Sequence, residues 1–388
     1  MESSAPWDIF CKVIDNHGDI GVCWRLAADL ASRGHLARLW VDSPDVLAWM
    51  APGALEGRWP RVQVLRWDLM LDSAFVAGLQ PAQVWIEGFG CELPAGLLQH
   101  RSSLARPSIQ GPVDWPAWIN LEYLTAERFA ERSHGLPSPV LNGPAAGQTK
   151  FFFYPGFSPR SGGLLREPDL AAQQAGFDRA SWLTTQGISW RGERLVSLFC
   201  YKPAALAQLL EQLRHDPEPT LLLVTHGRAA VAVRQALDVH VNSGRTSGTE
   251  QPQGRLSVRF LPPLAQTDFD HLLWSCDLNF VRGEDSLVRA IWAGKPFVWQ
   301  IYAQHDDAHH AKLQAFLDAM DASRSWRDFH LVWNGMAEHP LPPLDLGTWG
   351  PAVRKASQSL AGQGDLSGKL LAFVGEVRRL TVSSAEKR

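Results

Sequence analysis

The amino-terminal part of the chain alternates short apolar runs with segments of helical periodicity. The run at residues 7–14 predicts a strand, and residues 20–32 predict a helix whose apolar side chains share one face before Gly34 ends it. Further strands are predicted by the apolar runs at residues 36–41, 62–67, 84–87, 119–123 and 151–157. Strands that alternate with helices are typical of a parallel sheet that is covered on both faces.

A second series of the same kind follows the polar segment 182–194, which lacks a clear periodicity and is interpreted as a linker. Its strands are predicted at residues 195–201, 221–225, 256–261, 277–281 and 297–302. Its helices are predicted at residues 204–214, 268–275 and 286–292, with another ending at Leu237. The pattern therefore predicts two α/β domains, at residues 1–182 and 190–360.

Three further segments complete the predicted organisation. Residues 134–149 and 241–255 are rich in Gly, Ser and other turn-forming residues and predict exposed loops. Near the end, residues 365–380 predict a helix with one apolar stripe behind a cap at Asp365. We expect this helix to pack back on the first domain.

The composition indicates a folded protein of a reducing compartment. Lys and Arg total 37 against 40 Asp and Glu, and the net charge of -3 gives no electrostatic reason to expect a nucleic-acid partner. No run of about 18 apolar residues is present, and the short polar start leads directly into a strand, so neither a membrane span nor a signal peptide is predicted. Scattered cysteines predict buried free thiols at Cys11, Cys23, Cys91, Cys200 and Cys276. We therefore expect a cytoplasmic protein with no membrane and no nucleic-acid partner.

Polar residues concentrate where the first predicted strand leads into the first helix. The segment reads Asp15-Asn16-His17-Gly18-Asp19-Ile20-Gly21. Ligands of open α/β sheets bind at the carboxyl ends of the strands, and a glycine-rich helix start lets a ligand approach the backbone. The carboxylates of Asp15 and Asp19 would repel a phosphate and suit a cationic or proton-donating group. Helix capping is the alternative explanation, since Asp and Asn are common cap residues.

A second polar segment lies between the predicted strand 277–281 and a helix that is predicted to start at Ser286. It reads Arg282-Gly283-Glu284-Asp285-Ser286. Arg282, Ser286 and the helix start can bind a diphosphate, whereas Glu284 and Asp285 can accept hydrogen bonds from sugar hydroxyls. Capping alone does not require five consecutive polar residues, so a ligand site is the favoured interpretation.

An aromatic pair lies at the end of the predicted strand 195–201. Phe199 and Tyr201 are two residues apart, so both side chains would point to the same face of the sheet. Together they could sandwich a nucleobase. Core packing is the alternative, and it fits Phe199 better than Tyr201, whose hydroxyl needs a polar partner.

The segment His305-Asp306-Asp307-Ala308-His309-His310 raises the question of a metal site. His305 and His309 would share one face of a helix, but the spacing marks no third ligand. An acidic first helical turn explains the Asp pair without a metal, so no metal site is predicted. Two nucleotide-binding signatures also fail, because Gly294-Lys295 is followed by Pro296 and Gly88-Phe89-Gly90 lacks a third glycine.

These segments resemble the elongation factor P arginine rhamnosyltransferase family, often called EarP. The similarity covers essentially the whole chain. Its most specific parts are the stretch from Asp15 to Leu26, the aromatic stretch from Lys150 to Phe157, Phe260-Leu261-Pro262 with Gln266, the stretch from Arg282 to Ser286, and Ile301-Tyr302-Ala303-Gln304 with Asp307, Ala308 and His309. Ala303 stands where we expect Pro in the family, which is a local change.

The resemblance implies a GT-B glycosyltransferase with two Rossmann-like domains that face each other across a cleft. It implies inverting transfer of rhamnose from dTDP-β-L-rhamnose to an arginine side chain of elongation factor P, without a metal or other cofactor. By the same resemblance, Asp19 and Glu284 form the catalytic pair, and Asp15 supports the acceptor. The implied donor-binding residues are Asn16, His17, Gly18, Phe199, Tyr201, Phe260, Gln266, Phe269, Arg282, Gly283, Asp285 and Ser286.

The residue types suit this chemistry. A guanidinium is too basic to lose its proton before the reaction, so carboxylates must hold the cation and accept a proton as the C–N bond forms. Arg282 and the helix start would stabilise charge on the departing diphosphate. Glu284 could instead steady positive charge on the sugar ring, and the sequence does not separate the two roles.

Two other functions remain open at this point. The first is a GT-B glycosyltransferase with another nucleotide sugar and a lipid or small-molecule acceptor, for which the near-neutral composition gives little support. The second is a non-catalytic nucleotide-binding protein. Such a protein would not need the carboxylates of Asp19 and Glu284.

Overall fold

The computed structural model describes residues 5–13, 17–104, 115–237, 251–253, 255–303 and 306–385. The chain divides into two compact units. Unit 1 comprises Met1–Glu167 and Gln363–Arg388, and unit 2 comprises Pro168–Gly362. Unit 1 is therefore discontinuous in sequence, and all of unit 2 lies between its two segments.

Unit 1 is a parallel sheet with one antiparallel edge strand. Its strands are β1 (Trp7–Cys11), β2 (Ala37–Val41), β3 (Val62–Arg66), β4 (Val84–Gly88), β5 (Ala117–Leu121), β6 (Pro137–Pro139) and β7 (Thr149–Phe153). They lie in the order β3-β2-β1-β4-β5-β7-β6, and only the β6–β7 pair is antiparallel. The helices are α1 (Gly18–Ser32), α2 (Leu47–Met50), α3 (Ser73–Ala77), α4 (Ala95–Leu104), α5 (Arg128–Ser133) and, at the end of the chain, α15 (Leu366–Ala385).

The core of unit 1 forms because its central strands are largely apolar and are covered on both faces. Every residue of β1, β2, β4 and β5 is buried. The apolar face of α1 packs on one side of the sheet. In the same core lie side chains of α15: Leu366, Leu370, Val374 and Val377. The last helix of the chain thus belongs to the core of the first unit.

Unit 2 repeats this architecture. Its strands are β8 (Arg194–Leu198), β9 (Thr220–Val224), β10 (Gln251–Gln253), β11 (Leu256–Phe260), β12 (Leu278–Arg282) and β13 (Phe297–Gln300). They lie in the order β10-β11-β9-β8-β12-β13, and only β10 is antiparallel to its neighbour. The helices are α6 (Leu170–Ala175), α7 (Arg179–Thr185), α8 (Leu206–His215), α9 (Arg228–Ala236), α10 (Gln266–Ser275), α11 (Gly283–Ala293), α12 (Ala308–Ala319), α13 (Arg324–Trp333) and α14 (Leu346–Ala361).

The strand order reverses at the first strand of each unit. β1 lies between β2 and β4, and β8 lies between β9 and β12. Such a reversal leaves a crevice at the carboxyl ends of the two strands, where open α/β sheets bind their ligands. In unit 2 this crevice is bordered by the residues that follow β8 and by the end of β12.

The boundary between the units differs from the predicted domains 1–182 and 190–360. It falls after Glu167, and the segment that was interpreted as a linker belongs to unit 2. Trp182, Leu183 and Ile188 are buried there in one cluster with side chains of β8 and β9. Three apolar side chains among polar ones are enough to anchor the segment, although they produce no regular periodicity.

The two predicted loops also contain strands. Residues 134–149 include β6, because this stretch pairs with the edge strand β7. Of the loop predicted at residues 241–255, residues 241–250 and 254 lie outside the described part of the chain, and β10 pairs with β11. The edges of both sheets are therefore extended by short antiparallel strands.

The predicted state of the cysteines is confirmed, since all five are buried and free. Among the helices that the structure describes, none combines the length and apolar character that crossing a membrane requires.

Candidate active site

The guanidinium of Arg282 lies against two aromatic rings at the crevice of unit 2. β12 ends at Arg282, and Phe199 and Tyr201 follow β8, the neighbouring strand. The guanidinium carbon is 4.3 Å from the centroid of the Phe199 ring and 4.6 Å from that of the Tyr201 ring. Nη1 donates a hydrogen bond to the Cys200 carbonyl oxygen at 3.0 Å. Burial lowers the pKa of Arg282, but an arginine stays a cation at neutral pH. The crevice therefore holds a fixed positive charge on an aromatic surface.

The aromatic pair is not part of the strand, which corrects the predicted strand 195–201. β8 ends at Leu198, although the Phe199 N–H still donates a hydrogen bond to the Phe280 carbonyl oxygen of β12 at 2.9 Å. The Tyr201 N–H donates to Oε1 of Gln300 at 2.8 Å, and the Tyr201 ring packs edge-on against Tyr302. Phe199 packs against Phe269 with ring centroids 5.4 Å apart. Both predicted aromatic residues nevertheless reach the same guanidinium.

α11 begins at Gly283, three residues earlier than predicted, because the polar segment itself forms its first turn. Gly283 has a φ of 64°, and a Cβ there would lie 3.6 Å from the Tyr201 hydroxyl oxygen. Oγ of Ser286 accepts a hydrogen bond from the Arg282 N–H at 3.1 Å and donates one to the Arg282 carbonyl oxygen. The amide groups of a helix start bind anions, and this helix start adjoins the partly buried guanidinium of Arg282.

The two carboxylates in the first turn of α11 have different partners. Oε1 of Glu284 accepts a hydrogen bond from Nζ of Lys312 at 2.7 Å. Oδ2 of Asp285 lies 3.4 Å from Nε2 of Gln266, the buried first residue of α10. The structure thus brings together Arg282, Glu284, Asp285 and Gln266, as the sequence predicted, and adds Lys312.

The remaining aromatic residue predicted for the donor is Phe260, the last residue of β11. The guanidinium carbon of Arg234 lies 4.1 Å from its ring centroid. A second arginine that sequence reasoning missed is Arg228, at the start of α9, which lies 5.8 Å from the centroid of the Tyr201 ring. Arg228 directly follows Gly227, where a strand leads into a helix. This position in the sequence could have identified Arg228 as a candidate site residue.

In unit 1, Asp19 lies in the first turn of α1 and is half-buried. His17 occupies the N-cap position, so Asp19 does not cap this helix. The exposed ring of His17 packs edge-on against Trp49 at 6.3 Å. A hydrogen bond with Cys23, burial and the charge of Asp19 raise the pKa of the Cys11 thiol, so the thiol beneath this helix start stays neutral. Gly18 opens the helix, whereas Asp15 and Asn16 lie outside the described residues.

A group of possible metal ligands lies at the start of α12. Asp307, His309 and His310 each offer one ligand atom, and these three atoms lie within 4.8 Å of one another. Burial lowers the pKa of His309, which favours the neutral imidazole that metals bind. His305, the partner considered from the sequence, lies outside the described part of the chain. The ligand types suit a transition-metal ion, but no observation on these residues requires one.

Comparison with known proteins identifies relatives over nearly the full length. Residues 7–375 match the family model described as Elongation-Factor P (EF-P) rhamnosyltransferase EarP. A protein-arginine rhamnosyltransferase of Pseudomonas aeruginosa is 40% identical over 96% of this chain and 99% of its own. Another, from Pseudomonas putida, is 41% identical over 91% of this chain and 96% of its own.

A solved structure is similar as well. It is described as the structural basis for EarP-mediated arginine glycosylation of translation elongation factor EF-P, and it is 30% identical with a TM-score of 0.63. The similarity covers 96% of this chain and 99% of that chain. It confirms the predicted fold class, a GT-B glycosyltransferase built from two Rossmann-like units. The resemblance noted in the sequence is thereby confirmed, and the chain belongs to the EF-P rhamnosyltransferase family EarP.

Proposed function

We propose that this chain transfers an L-rhamnosyl group from dTDP-β-L-rhamnose to an arginine side chain of elongation factor P, with inversion at the anomeric carbon. Membership of the EarP family supports rhamnosyl transfer to arginine. The observation that best supports a nucleotide-sugar donor is the position of the Arg282 guanidinium. It packs on the rings of Phe199 and Tyr201, and Arg282 directly precedes the start of α11. An acceptor that acts in translation implies that the reaction takes place in the cytoplasm.

In the proposed donor complex, the diphosphate lies against Arg282 and the first N–H groups of α11. These groups neutralise the leaving diphosphate as the bond between the sugar and its oxygen breaks. The base packs on the aromatic side chains of this unit, and such stacking typically contributes about 1–3 kcal/mol per base. Gln266 and Asp285, which contact each other, offer hydrogen bonds to the donor. Asn16, His17 and Gly18 are proposed as further donor-binding residues.

The acceptor is a guanidinium, which attacks through one nitrogen. The new C–N bond forms on the face of the anomeric carbon opposite the diphosphate, which inverts the configuration. The nitrogen loses a proton as it attacks, and the carboxylates of Asp19 and Glu284 are the proposed acceptors of that proton. The same negative charges hold the cation before the reaction, and Asp15 is proposed to support it. The products are the rhamnosyl arginine and dTDP.

We propose that the reaction needs no metal or other cofactor, because Arg282 and the start of α11 supply positive charge where the diphosphate departs. Transfer is then expected to proceed unchanged in EDTA. Loss of transfer in EDTA and its restoration by Zn²⁺, Mg²⁺ or Mn²⁺ would overturn this, and the group Asp307, His309 and His310 would become the first site to mutate.

The test is mass spectrometry of elongation factor P after incubation with the protein and dTDP-rhamnose. A mass gain of one deoxyhexose on an arginine is expected, with no gain when the donor is replaced by UDP- or GDP-sugars. Asp19→Asn and Glu284→Gln should each reduce transfer by about 100- to 10,000-fold, because they remove the negative charge but keep the size of the side chain. A wild-type protein that binds dTDP but leaves elongation factor P unmodified would contradict the proposal and favour another acceptor.

A further inference from the structure

Glu284, in the first turn of α11, forms an ion pair with Lys312 of α12. Nζ of Lys312 lies 2.7 Å from Oε1 of Glu284, a distance typical of a charge-assisted hydrogen bond. α11 follows β12, and α12, which carries Lys312, follows the adjacent parallel strand β13. The two helices therefore begin at the same edge of the sheet. Glu284 lies in the first turn of α11, and Lys312 lies in the second turn of α12.

This ion pair differs from the exposed pairs of the same unit. The side chains of Lys312 and Glu284 are 22% and 19% exposed, whereas those of Lys355 and Asp321 are 77% and 85% exposed. Exposed pairs contribute little to stability. A partly buried pair carries a desolvation cost on both charges, which can exceed the gain from their attraction. Holding a flexible lysine in this position therefore suggests a role other than stability.

We propose that Lys312 is a positioning residue, which holds the Glu284 carboxylate in the orientation that the acceptor guanidinium requires. This rests on the proposed function, in which Glu284 contacts the acceptor. A carboxylate has about four acceptor positions on two oxygens, so Lys312 can fix the side chain through Oε1 while the carboxylate still accepts from a substrate. Without Lys312, the glutamate would retain its charge but lose a contact that orients its carboxylate.

The test is steady-state kinetics with elongation factor P and dTDP-rhamnose on Lys312→Met, Lys312→Arg and Arg327→Met. Lys312→Met should lower kcat about tenfold, as expected for a misplaced catalytic group, with little change in the KM of the donor. Lys312→Arg should restore much of that loss, because it keeps the cation. Arg327 of α13 pairs at 2.8 Å with Asp318 of α12, the helix that carries Lys312. Arg327→Met is therefore the matched control and should keep the wild-type kcat.

A double substitution separates positioning from a structural role. If Lys312 acts through Glu284, then Lys312→Met should cost little further activity in a Glu284→Gln background, measured in single turnovers with excess enzyme. Titration of each variant with dTDP measures the fraction of protein that binds the nucleotide. Dividing the rate by this fraction separates a loss of folded protein from a loss of kcat. Equal losses in both backgrounds, or a wild-type kcat for Lys312→Met beside an inactive Glu284→Gln, would overturn the positioning role alone. Near-normal transfer by Glu284→Gln would contradict the catalytic role of Glu284 and the positioning role with it, whereas absence of transfer by the wild type would contradict the proposed function.

Discussion

At the scale of single residues, Arg282 is the proposed diphosphate contact of unit 2. Its guanidinium packs on Phe199 and Tyr201, and Arg228 lies near the same tyrosine ring. Burial, and secondarily the charge of Arg228, lower the pKa of Arg282. Two cations held near each other favour a ligand that carries more than one negative charge, such as a diphosphate.

The first prediction concerns the ring of Tyr201. Tyr201→Ala should weaken dTDP binding about tenfold or more, because one stacking face is lost. Tyr201→Phe keeps the ring that contacts Arg282 and should bind dTDP nearly as well as the wild type. Isothermal titration calorimetry measures both. An unchanged affinity for the alanine variant would assign the ring to core packing.

The second prediction concerns His330, which is buried and keeps a pKa of about 4 because burial disfavours its charged form. Nδ1 donates to the Trp326 carbonyl oxygen, and Nε2 accepts from the Trp299 N–H at 2.9 Å. The unfolded chain takes up this proton near pH 6.5, the ordinary value. The stabilising contribution of the neutral ring is therefore present above that pH and is lost as the pH falls towards 4.

Urea unfolding at pH 7 and pH 5 checks this. The transition of unit 2 should lose about 2 kcal/mol more between these pH values in the wild type than in His330→Gln, which has no ring to protonate. An equal loss in both proteins would show that other groups control the acid sensitivity.

Which site residues the sequence could identify depends on how local their signal is. Arg282 to Ser286 stand together at a strand end, so their polar character is visible without a structure. Gln300 and Lys312 contact Tyr201 and Glu284, respectively, because β12 pairs with both β8 and β13 and these parallel strands end at one edge of the sheet. Those contacts span 99 and 28 positions along the chain, and no spacing rule reveals them.

At the scale of elements, strands were easier to predict than short helices. β9 (Thr220–Val224) is buried throughout, so its sequence is a continuous apolar run with recognisable limits. α7 (Arg179–Thr185) has only seven residues, and of these it buries Trp182 and Leu183. A helix this short shows no periodic pattern of apolar residues in the sequence. The polar stretch after it was therefore interpreted as a linker.

The third prediction concerns the two ends of α11, where Gly283 and Gly294 have φ values of 64° and 65°. Either Gly→Ala change should lower the free energy of unfolding by about 1 kcal/mol, because L-residues disfavour this region. Only Gly283→Ala should also weaken dTDP binding, by roughly tenfold, since it displaces the helix start beside Arg282.

Calorimetry and urea unfolding of both variants separate the two effects. Gly294→Ala is the control, because it carries the same backbone strain at the far end of the same helix. Equal dTDP affinities for the two variants would place the diphosphate away from the start of α11.

At the scale of the whole molecule, the two units share a strand order but differ in how they are built from the chain. Unit 2 is continuous, whereas unit 1 needs α15 to complete its core. The fourth prediction is that Leu370→Ala, at a fully buried position, lowers the stability of unit 1 by about 2–5 kcal/mol. Affinity for dTDP should be unchanged, because the proposed diphosphate contacts lie in unit 2.

The partly buried Leu371 on the same helix provides the control, and Leu371→Ala should cost less. Urea unfolding measures the stability of both variants, and dTDP titration measures their affinity for the nucleotide. If Leu370→Ala weakens dTDP binding tenfold, then α15 influences donor binding as well as the core of unit 1.

The position of α15 also has a consequence for how the protein is made. A ribosome releases the strands of unit 1 first, but Leu366 and Leu370 emerge only after all of unit 2. At typical rates of about 5–20 residues per second, the unfinished amino-terminal core waits roughly 10–40 s for its last helix. Unit 2 is complete before that helix appears. We therefore expect the core of unit 1 to be completed last during synthesis, although most of that unit is synthesised first.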